Sequence, residues 1–205
     1  CQMKKYELTE ETTNIFGKTL HRIRATRDFS NVHAGDLGGF IENELNLSHD
    51  RDTWVYGNAW VYGNAWVYGE ARVYGNAWVY GEARVGGNAL VSGDARVGGK
   101  ALVGGDAWVG GKALVSGNAL VYGNALVKGT RDIYWIPCIG SRDGTTTFFR
   151  NANNGISVSC GCFYGTIDEF AAAVTKTHGD NEHAQAYRHA IEIAKLRIKL
   201  EDAES

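Results

Sequence analysis

Thirteen valines recur every six residues from Val55 to Val127 without a break, and each has a glycine two residues later. In twelve of these units an alanine stands two residues beyond the glycine, Ala59 to Ala125. Along an extended strand, side chains alternate between faces, so residues two apart share a face. Ala59 and Val61 are such a pair, and Trp60 and Tyr62 point the other way. Gly63 and Asn64 then supply residue types that accept positive φ and turn the chain sharply. Each unit is therefore a short strand followed by a two-residue corner. An interior made only of Ala and Val suits a narrow tube. One hexad cannot bury its own valine, but stacked hexads can.

This V-x-G-x-A-x run resembles the hexapeptide-repeat proteins over residues 55–132, with a degenerate earlier unit at His49–Trp54. The resemblance implies a mainly β fold, a left-handed parallel β-helix with about three hexads per triangular coil and about four coils. At ~4.8 Å per paired strand such a prism would stand roughly 20 Å tall. A right-handed β-helix of the bactofilin kind, also built on short Val/Gly repeats, is the alternative, and the spacing does not choose between the hands.

An eighteen-residue coil stacks the position before each valine into three outward ladders. These are Trp54, Arg72, Leu90, Trp108, Leu126; then Trp60, Trp78, Arg96, Leu114; then Trp66, Arg84, Leu102, Leu120. Each of these arginines follows a tryptophan one coil earlier, which suits cation–π stacking. Corner positions pair likewise, Glu82 with Lys100 and Asp94 with Lys112. Residues 61–96 also read as a twelve-residue duplication, which would place Trp and Arg this way without any stacking.

Three segments follow: an N-terminal β cap at 1–53, the repeat at 54–132, and a C-terminal α+β module at 133–205. In the first, KKYEL and TLHRIRA alternate as strands do and GDLGGF supplies turns, giving a lid for the open end of a parallel stack. In the last, DIYWIPCIG, TTTFFR and ISVSCGCFYG read as three strands. Thr166-Ile167-Asp168-Glu169 is a capping box opening a helix through Phe170 and Val174 that stops near Gly179. A second helix from about Asn181 carries Tyr187, Ile191, Ala194 and Ile198 on one stripe, with Arg188, Lys195, Arg197 and Lys199 opposite. This β-β-β-α-α module would plug the far end of the prism or join subunits. The phrase GDLGGFIENELNLSHDRDTWVYGNA, and more weakly the tail, resemble hexapeptide proteins of phage and prophage genomes.

The net charge of −2 over 205 residues offers no basic field for nucleic acid and no acidic stripe for mimicking it. No segment reads as a membrane span or signal peptide, so the expected location is the cytoplasm, of the bacterial host if phage-encoded. Met3 begins a plausible start, and Cys1-Gln2 reads as a remnant or an upstream extension. Four cysteines, Cys1, Cys138, Cys160 and Cys162, are too few for a disulfide scaffold. Cys160 and Cys162 would share one face of a strand, and with Cys138 and His178 they could supply zinc ligands. C-x-C lacks the usual zinc-knuckle spacing, however, so neither a metal nor another cofactor is expected.

Hexapeptide acyltransferases, as the resemblance implies, use a histidine near a coil edge, often on an extruded loop. Residues 55–127 contain neither a histidine nor an interruption, so no catalytic residue is assigned. What remains is the outer wall: Trp54, Tyr56, Trp60, Tyr62, Trp66, Tyr68, Arg72, Trp78, Arg84 and Arg96. These rings either stabilise the solenoid by cross-strand pairing or form a binding surface, since Trp, Tyr and Arg are enriched at hot spots. The favoured reading is a non-enzymatic protein that self-associates as a dimer or trimer and binds a host protein, including as a counter-defence inhibitor. A small-ligand binder for nucleotides or glycans is the alternative, and an acyltransferase the second.

Overall fold

A computed structural model describes residues 3–201; Cys1 and Gln2, with the remnant assigned to them, lie outside the described residues. The chain opens with an antiparallel hairpin, β1 (Tyr6–Ile15) and β2 (Lys18–Ala25), and β3 (Leu37–Ile41) pairs antiparallel with β2. Thirteen two-residue strands, β4 to β16, then follow at six-residue steps from Trp54–Val55 to Leu126–Val127. They form three parallel sheets in which each strand pairs with the one three units on, as Trp60 with Trp78 and Val61 with Val79. The protein is a three-sided parallel β-solenoid with eighteen residues per coil.

Every hexad valine is fully buried, and the hexad alanines are at most 2 % exposed. Burying each valine contributes roughly 1.5–3 kcal/mol before conformational entropy is charged. The corners need glycine for two reasons, which Gly63 illustrates. Its φ is 70°, and a Cβ there would lie 3.0 Å from the carbonyl oxygen of Gly81 in the next coil. Asn64 N–H donates to that same carbonyl at 2.7 Å, so the corner backbones are tied coil to coil.

The stack is about five turns high, one more than the hexads alone supply. β3 joins the Trp60 sheet in parallel, Ile41 opposite Val61, and Leu47 bridges to Val67. Both offsets are twenty residues instead of eighteen. The inward residue before Val55 is therefore Leu47, not His49, and the expected unit at His49–Trp54 is displaced by a two-residue bulge. Lys5 holds that bulge: its fully buried ammonium donates to the carbonyls of Asp50, Arg51 and Thr53 at 3.3, 3.2 and 2.7 Å. The cap core of Tyr6, Ile23, Phe29 and Val32 closes over Trp54.

At the other end the expected three strands are four: β17 (Ile133–Ile139), β18 (Gly144–Arg150), β19 (Ile156–Cys160) and β20 (Phe163–Thr166), an antiparallel meander. ISVSCGCFYG folds back on itself because Gly161, at φ 58°, makes a tight turn. Phe149 and Ile133 enter the solenoid core beneath the last coil. Leu120 N–H donates to Thr147 Oγ1 at 3.0 Å, and Ser159 Oγ donates to the Leu120 carbonyl at 2.6 Å. Two helices complete the module, α1 (Ile167–His178) and α2 (Glu182–Arg197). The capping box of Thr166 and Glu169, the stop at Gly179 and the buried stripe Tyr187, Ile191, Ala194, Ile198 all stand as the sequence implies. Among the described residues no helix is long and apolar enough to cross a membrane.

Burial lowers the pKa of Lys5 to about 8, with Arg27 adding to the effect. The unfolded chain then holds this proton more tightly than the folded one, so the Lys5 contribution to stability rises with pH between about 8 and 10.5. Lys5→Met should cost about 1–3 kcal/mol at pH 7 by orphaning three carbonyls. Denaturant titrations from pH 7 to 10 should show the variant without the rise that the parent protein gains through Lys5.

Candidate functional site

The outer wall divides into three faces that differ in what covers them. On the Trp54 face, the first coils lie under the cap. Trp54 is 1 % exposed, edge-on to Tyr6 and Phe29. Tyr56 and Tyr74 stack at 4.4 Å, the Tyr56 hydroxyl donates to Asn31, and Arg72 donates to Ser30. Burial and the neighbouring Tyr74 raise the Tyr56 pKa. Trp54 points outward from the coil as expected, but the cap loop at Phe29–Val32 closes over it, so it is not part of a free surface.

On the Trp60 face the rings are used by one another. Trp60 and Trp78 stack at 5.0 Å and 8° between planes, and Tyr62 and Tyr80 at 5.6 Å and 13°. Ile15 and Leu20 of the hairpin pack on this cluster, so Tyr62, which points outward as expected, is nevertheless buried. Arg96 lies over Trp78 at 4.5 Å, and Arg22 over Phe40 at 4.3 Å. Of the three expected Arg-on-Trp steps this is the one that stacks among the described residues. Arg72 turns to Ser30 and Tyr74, and the Trp66 ring stacks on Tyr68 instead of meeting Arg84.

The Trp66 face is left uncovered. Trp66 is 40 % exposed and stacked on Tyr68 at 4.3 Å, and Arg84 is exposed beside it. Leu102 and Leu120 continue the ladder to Tyr122, which stacks on Tyr164 of the module. A groove of about 420 Å3 runs alongside, lined by Asn64, Glu82, Arg84, Lys100 and Leu102. Of the corner pairs, Lys100 meets Glu82 at 3.9 Å, whereas Asp94 accepts from Asn76 instead of pairing with Lys112. The ten wall residues therefore do not form one site; Trp66, Tyr68 and Arg84 remain together at an open surface.

The shift from Tyr to Gly along the wall has a packing cause. The Tyr68 ring lies flat over Gly86 of the next coil and the Tyr80 ring over Gly98, where any Cβ would overlap the ring. A second exposed apolar surface escaped the sequence reading. Ile193, Leu196 and Leu200 are exposed at the end of α2, Leu196 at 71 %. Their three- and four-residue spacing was the available signal. The C-x-C cysteines do not share a strand face: Cys160 ends β19 and Cys162 sits in the turn. No three His, Cys, Asp or Glu side chains converge as metal ligands among the described residues.

Residues 55–69, 83–99 and 113–129 match a family described as YdcK Beta solenoid repeat. No curated protein matches the chain. The match falls on the coils, and together with the three parallel sheets it makes this a β-solenoid repeat protein.

Gly98→Ala should destabilise the fold by about 1–3 kcal/mol, because the added methyl overpacks against the Tyr80 ring. In a Tyr80→Ala background the same substitution should cost much less. A double-mutant cycle by chemical denaturation measures the difference.

Proposed function

We propose that this is a non-enzymatic, self-associating interaction protein whose contact surface is the Trp66 face. The observation that carries the reading is the unequal covering of the wall. In the first coils the cap and internal stacking take up the aromatic rings on two faces, while Trp66 and Arg84 stay exposed together on the third. Trp108, three coils on along the Trp54 face, is exposed too but among the described residues has no arginine or second aromatic ring stacked beside it, as Trp66 has Tyr68. Exposed Trp, Tyr and Arg around a leucine ladder are hot-spot chemistry. The uninterrupted, histidine-free coils support a role without catalysis.

The reading includes left-handed winding, from the hexapeptide resemblance, and assembly as a dimer or trimer. It extends, through the resemblance of residues 35–59 to phage and prophage proteins, to action on a host protein in the bacterial cytoplasm, including blockade of a defence system. The outer stripe of α2 offers that host protein a second apolar contact.

Light scattering behind size exclusion should give the mass of a dimer or trimer, and Trp66→Ala with Arg84→Glu should return it to a monomer without loss of thermal stability. A monomeric parent protein would overturn the self-association. In bacteria carrying individual defence systems, expression should restore phage plating in at least one background. Unchanged plating in every background would remove the counter-defence role.

A further inference from the structure

The turn between β19 and β20 belongs to neither the coils nor the Trp66 face, and its two thiols are arranged for chemistry. Cys160 pairs with Phe163 across the turn Gly161–Cys162. In an extended strand, residues two apart are separated by about 6.6 Å, at the far limit of what a disulfide spans. A tight turn holds residues two apart nearer than that. Both cysteines line one cavity of about 300 Å3, which Ile139, Phe170, Val174, Arg142 and His178 also line. Cys162 is exposed, whereas Cys160 is half-buried, its sulfur 3.1 Å from Thr146 Oγ1 and 3.6 Å from the Tyr187 hydroxyl. One thiol thus meets solvent, and the second is half-buried in the wall of the same cavity. Cys138 is exposed but does not line this cavity.

We propose that Cys160 and Cys162 form a dithiol site that reduces a small, carboxylate-bearing disulfide of the glutathione type. The Cys162 thiolate attacks one sulfur of R–S–S–R, forms Cys162–S–S–R and expels RS⁻, which takes a proton to become RSH. Cys160 then gives its proton to water, attacks the Cys162 sulfur and expels the second RS⁻, which is also protonated. Two protein thiols become one disulfide, one small disulfide becomes two thiols, and the small disulfide is itself the oxidant. Arg142, exposed and lining the cavity, can receive a carboxylate of the incoming molecule. Closing the bridge draws the Cys160 sulfur away from Thr146 and Tyr187. Since Tyr187 is 8 % exposed in the module core, α2 packing registers the redox state of the turn.

The test uses the full chain, reduced and then exposed to glutathione disulfide, with acid quenching, alkylation and peptide mapping by mass spectrometry. The parent protein should accumulate a Cys160–Cys162 bridge and release two glutathiones for each bridge formed. Cys160→Ser should instead trap glutathione stably on Cys162, and Cys162→Ser should abolish the bridge. Arg142→Ala should slow the reaction with glutathione disulfide roughly threefold and leave that with uncharged hydroxyethyl disulfide unchanged. A bridge through Cys138, a mixed disulfide that persists in the parent protein, or equal rates at Cys138 and Cys162 would overturn the proposal. Circular dichroism of each variant separates loss of folding from loss of the thiol.

Discussion

The close approach of the corner backbones governs the rest of the molecule. Coils stack through N–H donors that reach the carbonyl of the coil beyond, as Asn64 does to Gly81 and Glu82 does to Gly99 at 2.7 Å. That spacing crowds a Cβ at the inner corners, such as Gly63 to Gly105, and leaves room inside only for valine and alanine. Because the interior is so thin, no coil has a core of its own. Its stability comes from its neighbours, so cohesion is shared along the stack and the two ends become the weak points.

The two ends are closed by different means. At the beginning the cap lends the solenoid an extra rung, β3 with Leu47, and the mismatch of two residues is taken up by a bulge that Lys5 ties down through three carbonyls. At the far end the module lays β18 beneath the last coil and inserts Phe149 into the tube. Both closures use large side chains where the coils use small ones, because each end must fill a space that no further valine will occupy.

The graded outer wall, Trp and Tyr first and Gly, Ser and Leu later, is largely a consequence of this geometry. A tyrosine laid flat along the stack needs a glycine under it one coil on, so Tyr68 is followed by Gly86 and Tyr80 by Gly98. Stacked pairs such as Trp60–Trp78 turn the remaining rings into reinforcement. What distinguishes Trp66 is not its residue type, which it shares with Trp54 and Trp60, but the absence of a covering element above it.

The amino-acid sequence by itself determined the coil: the six-residue period sets strand and corner, the eighteen-residue stacking follows from three sides, and each ladder from Trp54 to Leu126 pairs in the register the spacing implies. The capping box at Thr166 and the buried stripe of α2 were equally legible, because caps and helical periodicity are local properties of a few residues. Only the tertiary structure decided that Leu47 and not His49 enters the core, that Trp54 and Tyr62 are covered, and that Cys160 ends a strand while Cys162 sits in the turn after it. These outcomes depend on segments distant in the chain. The cap folds back over two faces and leaves the third open, and a repeat whose hexads look alike carries no local sign of which face that will be.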